Sequence, residues 1–151
     1  PLCERCPAKE FCAALSQERI SELPVKAPKK PRRVEARTVW LIFRGNSVAL
    51  RRRPGRGLLA GLWEFPSETG TGPFPRGWGI EARSNEYAGQ AKHIFTHIEW
   101  HMTLRKVDAD TDALPLGWVW ASRAELEQKY AVPNAFDQAL GLAKERLNGG
   151  K

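Results

Sequence analysis

Six side chains in this 151-residue chain have the type and spacing that invite metal chemistry. Cys3, Cys6 and Cys12 fall in "CERCPAKEFC" as Cys-x2-Cys-x5-Cys, and His93, His97 and His101 fall four apart in "KHIFTHIEWHM". For the imidazoles, the local period decides what is possible. On a helix, four residues advance ~6 Å, so neighbouring rings can share an ion. On a strand they advance roughly 13 Å, and no single ion reaches two of them. Residues 98–105, IEWHMTLR, alternate apolar and polar without a break, which is the strand period. His97 and His101 are therefore expected on the polar face of a strand, with His93 in the turn or strand before it, and a three-histidine zinc site is disfavoured.

The cysteines read differently. Three thiols within twelve residues make a poor disulfide framework. Their spacing suits a metal or an iron–sulfur cluster, but a closed set needs a fourth ligand and none lies nearby. A fourth cysteine upstream of Pro1 is the simplest expectation; a redox pair or chance clustering are the alternatives.

The elements that must position these groups follow from pattern. A 42% hydrophobic content supports a real core, and no apolar run reaches membrane-spanning length. The reading is a soluble, cytoplasmic chain with no membrane partner, and the expected state is a monomer. The net charge of +7 is uneven: residues 26–56 hold eleven of the 24 Lys/Arg and a single acid, Glu35. A basic segment on a slightly acidic body points to a polyanion, nucleic acid first, with a solvated linker as the alternative. Residues 25–37, VKAPKKPRRVEAR, lack an apolar period and run as an extended linker. Two β-rich runs flank Gly45-Asn46 as a hairpin, and "GLWEFPS" forms a third strand ended by Pro66. Residues 68–91 offer only a weak helical possibility. "GWVWAS" is a further strand, Ser122-x-x-Glu125 a capping box, and residues 134–147 an amphipathic helix with Phe136, Ala139, Leu140, Ala143 and Leu147 on one face. The fold class is α/β (α+β), a mixed sheet flanked by helices. Of the arginines at the end of the hairpin, Arg51 or Arg53 is expected to face the protein.

"GLLAGLWEFPSETG", residues 57–70, resembles the Nudix family, whose Trp-Glu-Phe-Pro strand leads into a catalytic loop and a helix bearing several metal-holding carboxylates. Hard divalent cations require those clustered oxygens. Here Glu68 is followed by Thr-Gly-Thr-Gly-Pro-Phe-Pro-Arg-Gly-Trp, residues 69–78, in place of that helix. Glu81 and Glu86 are isolated, and no Glu-Glu pair occurs. The fold signature is present without its catalytic box.

Taken in order, the cysteine cluster, basic linker and Nudix-like domain without a box resemble the C-terminal part of the A/G-specific adenine DNA glycosylases, the MutY family. The resemblance covers essentially the whole chain and includes "YAVPNAF", 130–136, at the start of the last helix. It implies that Cys3, Cys6 and Cys12 are the last three of four ligands to a [4Fe–4S] cluster. The first would lie seven residues before Cys3, so this chain alone is not expected to retain the cluster. It implies three segments: 1–23 as the end of the cluster loop, 24–35 as the interdomain linker, and 36–148 as a Nudix-like lesion-recognition domain. Phe95, Thr96 and His97 match a Phe-Ser-His loop that reads 8-oxoguanine opposite adenine, with Thr96 keeping the hydroxyl and adding a methyl. Phe95 would wedge against a base step, the Thr96 hydroxyl would meet the lesion's altered edge, and the His97 imidazole or a backbone amide would hold a phosphate or the base's new oxygen. Lys26, Lys29, Lys30, Arg32 and Arg33 would hold phosphates of double-stranded DNA. The expected partners are thus DNA containing 8-oxoguanine opposite adenine and the N-terminal catalytic domain of the same parent, and the family resemblance adds nucleoid association. That domain would carry the catalytic Glu and Asp, so this fragment is expected to be inactive alone. Two other readings remain: a degenerate Nudix hydrolase of nucleoside-diphosphate-linked substrates, and a metal-tethered protein-interaction module.

Overall fold

The computed structural model describes residues 1–26, 28 and 31–149, which fall into two units, Pro1–Pro31 and Arg32–Lys151. Lys29 and Lys30 lie outside the described residues. The first unit is a string of short turns at Cys3–Arg5, Lys9–Phe11 and Ile20–Glu22 around one helical turn, α1 (Ala13–Ser16), none of which holds a buried residue. Its turns are closed by local backbone bonds and by surface ion pairs, Lys9 with Glu4 and Arg19 with Glu22. Such exposed pairs add little stability.

The second unit is built on a seven-stranded mixed sheet, counted among the described residues: β1 (Arg33–Arg44), β2 (Ser47–Arg52), β3 (Trp63–Glu64), β4 (Ser67–Thr69), β5 (Glu86–Ile94), β6 (Ile98–Asp108) and β7 (Trp118–Ser122). The main path runs β3-β2-β1-β6-β5, with β4 on β1 and β7 on β2. Among the described residues only β1 and β6 pair in parallel, from Arg33 opposite Ile98 to Phe43 opposite Asp108. Strand β1 begins at Arg33, inside the stretch that composition alone reads as linker.

Strand β1 is buried from Val39 to Phe43 on both faces, and its two side-chain sets feed two cores. Val39, Leu41 and Phe43 join Val48, Leu50, Phe65, Trp100, Met102 and Leu104 beneath the helices α2 (Arg123–Gln128) and α3 (Asp137–Asn148). Trp40 and Ile42 join Ala49, Val107 and Ala109 on the other face. Among the described residues no α-helix covers that second face. Phe74 and Trp78, from the loop after β4, close it in edge-on contact with Trp40, at 6.1 and 5.2 Å between centroids. The loop thus occupies the stretch in which a carboxylate-bearing helix is absent.

The alternation read in β6 holds: Trp100, Met102 and Leu104 are buried, and His101 is exposed between them. The Gly45-Asn46 hairpin also holds, with Arg44 opposite Ser47 and Gly45 at φ +52°, a left-handed conformation that glycine takes without steric cost. The closing helix buries Ala139 and Ala143, with Leu140 and Leu147 partly covered; Asn134–Phe136, read as its first turn, form a tighter 3-10 turn that buries Phe136 just before it.

The capping box at α2 forms in both directions: Ser122 Oγ accepts from the Glu125 amide, and the Glu125 carboxylate accepts from the Ser122 amide at 3.1 Å. A hydrogen bond from the Lys129 ammonium, first, and the Ser122 bonds, second, lower the Glu125 pKa from 4.5 to about 2. A depressed carboxylate stabilises the fold above its unfolded pKa and loses that contribution as pH falls through the folded value. The carboxylate side of the cap, with its Lys129 pair, therefore contributes fully well above pH 4.5 and fades as pH falls towards about 2, while the bond from the Glu125 amide to Ser122 Oγ does not titrate. Ser122→Ala is expected to cost about 1 kcal/mol at neutral pH. Urea unfolding at pH 7 and pH 3 should show the variant's deficit shrinking at the lower pH; a deficit independent of pH would contradict the assignment.

Candidate nucleic-acid interface

Strands β5 and β6 form an antiparallel hairpin whose register runs from Glu86 opposite Lys106 to Ile94 opposite Glu99. Phe95, Thr96 and His97 are its loop, closed by the Phe95 amide donating to the Ile98 carbonyl at 2.8 Å. His97 is therefore the last loop residue, not a strand residue, because pairing resumes only at Ile98.

The three loop side chains divide. The Phe95 ring is half-buried, edge-on to Trp100 at 4.9 Å and to His93 at 4.5 Å. Expected as a free wedge against a base step, it is engaged with the protein on two sides. Thr96 and His97 are exposed. One loop residue is thus anchored and two face outward.

The loop backbone is also held from outside the hairpin. Arg32 donates from Nε to the Phe95 carbonyl at 3.2 Å, and the Arg33 amide donates to the His97 carbonyl at 3.2 Å. The Arg33 guanidinium is 76% exposed and reaches Glu35 at 3.2 Å. Two of the five basic residues singled out for phosphate contact therefore sit against the loop. Lys26 is an exposed residue of the first unit.

The histidines do not form a metal site. His93 sits opposite Trp100 and His101 opposite Lys92, so they occupy opposite faces of the sheet. Glu99 accepts from Lys92 and His101, each at 2.6 Å, and these bonds, Lys92 first, hold its carboxyl below the usual range. Among the described residues no group of three or more His, Cys, Asp or Glu is placed to hold a metal ion. Cys3 and Cys12 are half-buried, Cys6 is exposed, and all three are free thiols. As placed, the three do not make the four-thiolate set that an iron–sulfur cluster needs.

Beneath the loop lies a charged network that sequence reading foresaw only in part. Both Arg51 and Arg53 turn inward: Arg51 donates to Glu64 Oε1 at 2.7 Å and Arg53 to Glu64 Oε2. Glu64, of the Trp-Glu-Phe-Pro stretch, is 1% exposed. Arg37, nine-tenths buried, bonds Glu35 and the Ser67 hydroxyl, and its guanidinium lies 4.6 Å from the Trp100 ring centroid. Stacking on an aromatic face is a favourable setting for a buried arginine. Trp100 thus touches both the network and Phe95. Both oxygens of the Glu64 carboxylate are committed to arginine.

The mixed sheet carries the Trp-Glu-Phe-Pro stretch at the β3 end of its strand order, the fold class that the sequence comparison identifies. The NUDIX domain family model matches residues 38–142, and the chain belongs to that family. Relatives that it resembles along most of its length include adenine DNA glycosylases. The Mus musculus enzyme is 32% identical over 158 residues, covering 86% of this chain and 29% of that protein. The chain spans less than half the length of such relatives. Among solved structures, the C-terminal domain of mouse MUTYH, determined in complex with human PCNA, superposes with a TM-score of 0.55 at 23% identity over 78% of this chain and 91% of that one. MutT protein from Methanosarcina mazei Go1 superposes at 0.57 with 16% identity, covering 80% and 99%. At these identities the superpositions speak for the fold.

Proposed function

We propose that this chain is the lesion-recognition part of an adenine DNA glycosylase, and that the Phe95-Thr96-His97 loop reads 8-oxoguanine opposite the mispaired adenine. The observation that carries this reading is a hairpin loop with an anchored ring, two exposed polar side chains and a backbone tied to the basic segment that precedes β1. Guanine presents an acceptor at N7 in the major groove; 8-oxoguanine presents an N7–H donor and a new oxygen at C8. A threonine hydroxyl accepts from such a donor, and an imidazole N–H donates to such an oxygen. Lys26, Lys29, Lys30, Arg32 and Arg33 supply phosphate contacts that position the domain without reading sequence.

The adenine must leave the helical stack before its glycosidic bond can be hydrolysed. In this reading the groups that do so, and a fourth thiolate completing a [4Fe–4S] cluster with Cys3, Cys6 and Cys12, belong to the catalytic part of the parent protein. The Nudix match itself favours a second reading, hydrolysis of a nucleoside-diphosphate-linked substrate, but the arginine-bound Glu64 and the missing helix argue against it. The test is single-turnover adenine excision by the full-length parent with and without this domain. Loss of the domain should lower the preference for adenine opposite 8-oxoguanine over adenine opposite guanine. An unchanged preference, or magnesium-dependent turnover of nucleoside triphosphates by the domain alone, would overturn the proposal.

A further inference from the structure

Arg32 stands at the junction of the two features that the proposed function uses, and its geometry assigns it to both. It is the first residue of the second unit, directly after the basic, proline-broken stretch, and it is exposed. Its Nε donates to the Phe95 carbonyl at 3.2 Å, 63 residues away in sequence. A guanidinium is planar, with five N–H donors in a fixed fork. With Nε committed to a carbonyl, the opposite edge, formed by Nη1 and Nη2, remains. Among the described residues those nitrogens make no further hydrogen bond or ion pair. Two parallel N–H donors on one edge are the arrangement that takes a phosphate in bidentate fashion.

The geometry points to Arg32 as a bridging positioning residue: it holds the Phe95 carbonyl through Nε while its outer edge binds a backbone phosphate of the DNA strand beside the lesion. This rests on the proposed lesion-reading loop and adds to it a specific phosphate contact and a reason for the loop's fixed conformation. The Phe95 carbonyl belongs to the peptide unit that carries the Thr96 amide, so its orientation fixes where the Thr96 side chain starts. Arg33 holds the other end of the loop only through its backbone amide, which any residue but proline would supply. Arg32 acts through its side chain, so substitution reports on it directly. A lysine at position 32 would carry the same charge but a single ammonium, able to serve the carbonyl or a phosphate but not both in this planar arrangement.

The experiment uses the full-length parent and uncleavable duplexes with 8-oxoguanine or guanine opposite adenine, with Kd measured by fluorescence anisotropy across a salt series. Arg32→Ala is expected to reduce the slope of log K against log salt by about one phosphate's worth, ~0.9. It should also cut discrimination between the duplexes about tenfold, as loss of a charge-assisted hydrogen bond does. Arg32→Lys should restore the slope but not the discrimination. Full recovery of discrimination by lysine, or an unaltered slope in the alanine variant, overturns the bridging role. Thr96→Ala measured alongside separates the two levels. If it erodes discrimination while the Arg32 variants leave it intact, the loop reading stands and the bridge fails. If Thr96→Ala is also silent, the loop reading fails with it.

Discussion

Glu64→Ala is expected to destabilise the second unit by about 3–5 kcal/mol, the cost typical of removing one partner from a buried ion pair. The carboxylate is 1% exposed and serves two arginines at once, with Arg51 opposite it in the β2–β3 register and Arg53 just beyond. Removing it leaves two guanidiniums, 23% and 15% exposed, without a counter-charge at the edge of the core. Neither can swing fully into water without giving up its other contacts: Arg51 bonds the Ser67 carbonyl and Arg53 the Leu58 carbonyl. Glu64→Gln keeps an acceptor in place and should lose less. Urea unfolding monitored by tryptophan fluorescence measures both. A cost below about 1 kcal/mol for the alanine variant, in the range of an ordinary surface substitution, would show that the network does not hold this edge together. The same measurement bears on function, because a Nudix hydrolase that used Glu64 as a metal ligand should be stabilised by magnesium, and this chain should not be.

The second large effect falls on recognition and leaves stability alone. Thr96→Ala and His97→Ala remove exposed side chains from a loop anchored by Phe95 and by backbone bonds, so unfolding should change by no more than about 0.5 kcal/mol. Each should nevertheless cost the parent enzyme roughly tenfold in discrimination between 8-oxoguanine and guanine, the loss of one well-placed polar contact to a base edge. Phe95→Ala differs in kind: it strips an aromatic contact from Trp100 and His93, and should lower stability and discrimination together.

Much of this arrangement is legible in the residues, and the parts that are not share a physical cause. The alternation through Trp100, Met102 and Leu104 sets the inward face of β6. Ser122 with Glu125 marks the start of α2, and the spacing of Ala139 and Ala143 sets the buried side of α3. These signals are local, each contained within a few residues. Strand β5 carries no such signal: it holds Gly89 and Lys92, is nowhere fully buried, and becomes a strand by pairing with β6. The start of β1 is similar, since Arg33, Val34 and Glu35 look like linker and are drawn into the sheet by residues 98–100. The second core is hidden for another reason. Phe74 and Trp78 sit in a stretch rich in glycine and proline, and only the fold brings them over Trp40.

For the candidate interface, the residue types of the loop and of the basic segment were readable, but their juxtaposition was not. The bond from Arg32 to Phe95 depends on the parallel β1–β6 pairing, which no local pattern announces. The inward turn of both Arg51 and Arg53 likewise depends on Glu64 being placed opposite β2 by the edge pairing. Conversely, the histidine spacing that first suggested an ion is resolved by the hairpin, which sends His93 and His101 to opposite faces and leaves His97 at the tip.

The most direct test of the central claim is single-turnover adenine excision by the full-length parent carrying Thr96→Ala and His97→Ala together. Duplexes with 8-oxoguanine or guanine opposite the adenine should be compared at fixed salt. The account predicts a wild-type melting midpoint, a nearly unchanged rate on the guanine duplex and a large loss on the 8-oxoguanine duplex. An undiminished ratio of the two rates in this double variant would contradict it.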